Sequence, residues 1–155
     1  IHIMDASFCT TDPKSLKLDT KHKVFYLPNP VDTSFETLKN YQNKNFNNDV
    51  FFAMSHGVHR GILKKGKFDE RENIINKLIK LTPDLRFDIY GMNGNQPIWA
   101  DNYMSAISQS KIGLNLSQGK ATKYYSSDRF SQLIGNGLLV MIDEKTKMND
   151  FFNKN

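Results

Sequence analysis

Apolar residues along this chain gather into short runs at wide spacing. VFYLP at 24–28, DVFFAMS at 49–55, RFDIYG at 86–91, KIGLNLS at 111–117 and LLVMID at 138–143 are five of them. Most are nearly continuous rather than alternating, the pattern of strands buried on both faces in a parallel sheet. Between them the period changes to that of helices. In 69–81, Asp69 stands at a cap position with Glu72 three residues on, a capping-box arrangement, and Ile74, Ile75, Leu78 and Ile79 form one apolar face. Pro83 follows where the helix should stop. A second helix is predicted over 97–110, with Pro97 in its first turn, and a shorter third over 127–136. Ser126 or Ser127 caps the third, and Gly-Asn-Gly at 135–137 ends it in a left-handed turn before a buried strand at 138–142. Strands alternating with helices predict an α/β fold, a Rossmann-like parallel sheet with flanking helices. Residues 1–22 read as one strand followed by polar loop or a short helix, and NYQNKNFNN at 40–48 as a solvated connector.

Composition narrows the class. The 155 residues suffice for one domain with a sizeable core, and 39% hydrophobic with 24% charged residues is a globular balance. No apolar run approaches membrane-spanning length, and no leader pattern opens the chain. Ile1 at the start and NDFFNKN at the end read as the edges of a piece of a longer chain. Cys9 is the single cysteine, which excludes an internal disulfide and a cysteine-rich zinc site and fits a reducing, cytoplasmic compartment. The net charge of +5 and pI near 9.2 suit an anionic partner, although a lysine-rich surface gives the same figure.

Ligands of open α/β sheets bind beyond the carboxyl ends of the strands, so the loops there carry the candidate chemistry. The loop SHGVHRGILKKGKFDERE, 55–72, combines glycines, which expose backbone N–H groups, with His56, His59, Arg60, Lys64, Lys65, Lys67 and Arg71. That mixture suits a phosphate or diphosphate. It lacks the Walker spacing, and two histidines three apart without a carboxylate make a poor metal site. The plain alternative is a solvated lysine-rich loop. In YGMNGNQPIWADN, 90–102, Gly91 and Gly94 permit close backbone approach to a ligand, as they equally permit an Asn-Gly turn. In NLSQGKATKYYSSDRFSQLIGNG, 115–137, Arg129 falls in the first turn of a helix, where the dipole opposes a cation. The conflict is removed if Arg129 faces an anion at that helix start; the alternative is a surface pair with Asp128.

The block SSDRFSQLIGNGLLVMID, 126–143, resembles the arginine-, glutamate- and glycine-bearing block in the C-terminal, donor-binding domain of GT-B glycosyltransferases. YLPNPVD (26–32) looks like the segment linking the two domains of that superfamily. DVFFAMSHGVHRG (49–61) looks like the first strand and glycine loop of the donor domain, RFDIYG (86–91) like its central strand, and MSAISQSKIGLNLS (104–117) like the helix and strand before the donor loop. The likeness runs from about residue 23 onward and is closest in style to bacterial enzymes similar to spore-maturation and capsule glycosyltransferases. It implies that 1–22 are the tail of a preceding acceptor domain and crossover, and that 23–155 are a nucleotide-sugar donor-binding domain. The partners implied are a nucleotide sugar and an acceptor glycan or lipid, with peripheral contact at the inner face of a membrane, no nucleic acid and no metal.

Position by position, the resemblance puts Arg129, Arg60, Gly57, His56 and Lys65 at the donor diphosphate. It puts Gln132, Ser117, Tyr124, Ser126 and Ser127 at ribose and sugar, with Lys120 in the same loop, and Gly91 and Asn93 on the nucleobase side. Gln132 stands where many members carry a ribose-binding glutamate, and Tyr124 where retaining members carry a second one. Gln132 hydrogen-bonds a diol without charge. The catalytic base commonly belongs to the other domain, so none is assigned. Three other classes compete. A non-catalytic nucleotide- or phosphate-binding module fits the missing glutamates. A nucleic-acid-binding domain would need an exposed stacking platform that buried strands do not offer. A dinucleotide domain would need Gly-x-Gly-x-x-Gly after the first strand, which is absent.

Overall fold

The computed structural model describes residues 5–18, 21–55, 69–152 and, as backbone, 58–59 and 62–63. Its main sheet has four strands: β3 (Asn48–Ala53), β6 (Phe87–Tyr90), β7 (Ser110–Asn115) and β8 (Leu139–Ile142). They lie in the order β6-β3-β7-β8 and all neighbours are parallel. The α/β reading holds, with a parallel sheet between helices. Before it, β1 (Ala6–Cys9) pairs in parallel with β2 (Lys23–Tyr26) in a separate two-stranded sheet. Two short segments, β4 (Val58–His59) and β5 (Ile62–Leu63), pair antiparallel.

The central strand β3 explains the two-sided core. Phe51 and Phe52 are both fully buried, on opposite faces. Phe52 joins Val50, Met54, Ile89 and Leu114 under α1 (Glu70–Leu81), through Ile75, Leu78 and Ile79. Phe51 joins Ala106, Ile107, Leu133 and Leu138 under α2 (Ala100–Ser108) and α3 (Asp128–Gly135). Ile74, expected on the buried face of α1, is 52% exposed.

Two helix starts match the sequence reading and one departs from it. At α1, the Asp69 carboxylate accepts from the Arg71 N–H and is gripped by the Arg71 guanidinium, at 2.8 and 2.7 Å. At α2, Trp99 is the N-cap, so Pro97 lies outside the helix rather than in its first turn. At α3, Ser127 is the cap and accepts from the Phe130 N–H. Its far end is closed by Gly137 N–H to Ile134 and Leu138 N–H to Leu133, the paired bonds of a left-handed stop with Gly137 at φ +82°. The strand that follows is an edge strand and not the buried one expected, since Leu139 and Met141 are 60% and 53% exposed. A further fixed point is Asn40, in the polar segment 40–48. It is buried, and its amide donates to the carbonyls of Ile107 and Ser110.

Candidate functional site

The chain enters the main sheet at β3, adds β6 on one side, then crosses to add β7 on the other. Such a reversal leaves a crevice beyond the carboxyl ends of the two strands where it occurs. Here those ends are Ala53 and Asn115, and Arg129 lies across them. Its Nη1 donates to the Ala53 carbonyl (2.5 Å), its Nε to Asn115 Oδ1 (3.0 Å) and its Nη2 to the Leu116 carbonyl (2.6 Å). The guanidinium also stacks over the Phe52 ring, 5.4 Å from its centroid. The conflict between an arginine and a helix N-terminus is thus partly relieved by the chain's own oxygens. Asp128 does not pair with it; that carboxylate accepts from Asn29 Nδ2 at 2.8 Å.

All three of Arg129's acceptors are neutral, and no carboxylate pairs with it among the described residues. Burial, and then the nearby Arg71, push its pKa down to about 10, which still leaves it charged at neutral pH. Arg71 is buried too, but Asp69 neutralises it. The result is one uncompensated buried cation at the switch crevice. A buried charge without a counter-charge is costly, and an arriving anion removes that cost.

Two clefts open on either side of Arg129 and share Ser55, Asp128 and Arg129 in their walls. The first, about 720 Å³, has polar walls that include Thr10, Asn29, Ser117, Tyr125, Ser126 and Ser127. The second, about 700 Å³, mixes Gln132 with Phe35, Ile98, Trp99 and Tyr103. The loop behind the first cleft is pinned by distant segments. The Ser126 N–H donates to the Thr10 carbonyl, the Asn29 N–H to Ser126 Oγ, and the Asp12 N–H to the Lys123 carbonyl.

Of the residues named from sequence, Arg129, Ser117, Ser126 and Ser127 line the first cleft and Gln132 the second. Ser126 is fully buried, and Ser127 donates to Asn115 Oδ1 while capping α3. Tyr124 is placed elsewhere: it packs against Tyr26 and Phe151, and its hydroxyl reaches Asp150. Gly91 and Asn93 line neither cleft. Asn93 exchanges side-chain hydrogen bonds with Asn76, and Gly91, at φ +80°, lies so close to the Met54 carbonyl that a Cβ would stand 1.8 Å from it. His56, Gly57, Arg60 and Lys65 lie outside the described residues. Asn115, Asn29 and Tyr103 were not singled out from sequence. Of these, Asn115 had a signal, a polar residue ending an apolar strand.

Among the described residues, no three His, Cys, Asp or Glu side chains gather as metal ligands would, and no helix is long and apolar enough to cross a membrane. The model of a family described as glycosyl transferase-like matches residues 70–155, a span that includes Arg71, Ser117, Arg129 and Gln132. No curated protein and no solved structure matches the chain.

Proposed function

The chain belongs to the glycosyl transferase-like family, and from that premise we propose that it is the donor-binding half of a GT-B enzyme, holding a nucleotide sugar at the β3–β7 crevice. The observation that carries the reading is the uncompensated Arg129 cation between two clefts. The diphosphate lies against Arg129. The nucleoside occupies the mixed cleft, where the exposed Trp99 ring offers a stacking surface and Gln132 offers hydrogen bonds to the ribose hydroxyls. The sugar occupies the polar cleft beside Ser117, Ser126 and Ser127. This replaces Gly91 and Asn93 as the nucleobase side.

Sugar transfer breaks the bond between the anomeric carbon and the diphosphate, through an oxocarbenium-like state. Negative charge gathers on the departing diphosphate. A guanidinium already fixed by three hydrogen bonds needs no reorganisation to stabilise it. The acceptor, a glycan or lipid, is supplied with its base from a preceding domain.

Calorimetric titration with UDP, GDP, ADP, TDP and CDP tests the reading. One of the five should bind selectively, and Arg129→Ala should weaken that binding by about 1.5–3 kcal/mol, the range for hydrogen bonds to a charged group. Failure of a folded full-length chain to bind any of them would sink it. Tyr124 and Gln132 in place of glutamates favour one second reading, a module that binds nucleotide sugars without transfer. Release of free nucleoside diphosphate by the full-length chain separates the two.

A further inference from the structure

Tyr103 is the one buried side-chain donor among the described residues left without a partner. It projects from α2, its ring meets Phe51 of β3 edge-on at 5.4 Å, and its hydroxyl is out of contact with solvent and bonded to nothing. A buried hydroxyl without a partner destabilises the free protein, and phenylalanine in the same place would not carry that cost. Tyr103 is nevertheless one of the residues lining the cleft shared by Arg129 and Gln132, with its hydroxyl buried behind that wall. Burial raises its pKa to about 12 against the pull of the neighbouring Arg129 charge, so it remains a protonated donor.

We propose that the Tyr103 hydroxyl donates a hydrogen bond to a phosphate oxygen of the nucleoside diphosphate held against Arg129, which makes it a specificity-determining residue of this site. The inference rests on the donor reading above. Phenol and guanidinium then reach the same anion from two elements, α2 and α3, and the bond to the anion is charge-assisted. Hydrogen bonding to the phosphate supplies in the complex what the free protein lacks. A ligand without phosphate gains nothing from this hydroxyl.

The test is Tyr103→Phe in the full-length chain. Two readouts are taken: urea unfolding of the free protein, and calorimetric titration with the five nucleoside diphosphates, inorganic pyrophosphate and the matching nucleoside. The expected result has opposite signs. The free variant is at least as stable as the parent, while affinity for the diphosphate and for pyrophosphate falls roughly 10-fold or more and the nucleoside binds as before. Unchanged diphosphate affinity overturns the proposal, since a hydroxyl that never meets the phosphate gives that result. An equal loss for the nucleoside overturns the phosphate assignment. A variant that unfolds also overturns it, because the hydroxyl then has a partner in the free protein. Binding that is lost in Arg129→Ala but kept in Tyr103→Phe removes this inference alone. A parent chain that binds none of the diphosphates removes the donor reading with it.

Discussion

Asn115 fixes Arg129 while leaving its charge unanswered. Its Oδ1 accepts from both Ser127 and Arg129. An aspartate there would keep both bonds and add the missing negative charge. Asn115→Asp should therefore stabilise the free chain toward urea and weaken nucleoside diphosphate binding at least tenfold, because the cation would already be paired. If both quantities fall together, the buried charge is not what prepares the site. The ionisation of the two side chains sets a second expectation. Arg129, pushed down to about 10, stays a cation and Tyr103, pushed up to about 12, stays neutral across the physiological range. Affinity should be flat between about pH 7.5 and 9, and should fall only as the ligand's own phosphate gains a proton near pH 6. A slope between 7.5 and 9, read by titration in matched salt, would assign binding to another group. Arg129 was visible in the sequence because a cation in a helix's first turn breaks a local rule. Tyr103 was not, since a tyrosine on a helical face reads as core and only the fold shows that its hydroxyl has no partner.

Elements were the most legible level. The five apolar runs became five strands, and the Asp69 and Ser127 caps became helix starts, because short apolar runs and capping are written in local composition. The misreadings came from context. Pro97 fell before its helix because the chain turns into α2 only at Trp99, and β8 kept an apolar sequence while losing one covered face at the sheet edge. Ser127→Ala should cost about 1–2 kcal/mol in urea unfolding, since it removes the cap of α3. Gly91→Ala should cost more than that, because its Cβ would meet the Met54 carbonyl and displace the end of β3 from which Arg129 hangs. A Gly91→Ala protein as stable as the parent would mean the strand end yields freely.

For the whole molecule, the sheet order could be placed in a class from sequence, but the crevice could not, since no local pattern says which strand ends lie side by side. Binding at that crevice joins β3, β7 and α3 through one guanidinium, so it should resist unfolding of the entire domain. At a diphosphate concentration 100 times Kd, stability should rise by about 2.7 kcal/mol, seen as a melting temperature higher by roughly 5–10 °C. A ligand that binds without moving the melting temperature would be attached to the unfolded chain equally well.

The hydrogen bonds that pin the loop behind the polar cleft join segments far apart in the chain: Thr10 to Ser126, Asp12 to Lys123, Asn29 to Asp128. Contacts of such long sequence separation are reached late, after the local ones. On a ribosome, β3, β6 and β7 are all made before residue 126 emerges, and the polar cleft has no back wall until it does. A product truncated before residue 126 would therefore have β3, β6 and β7 in place and still lack the back wall of the polar cleft.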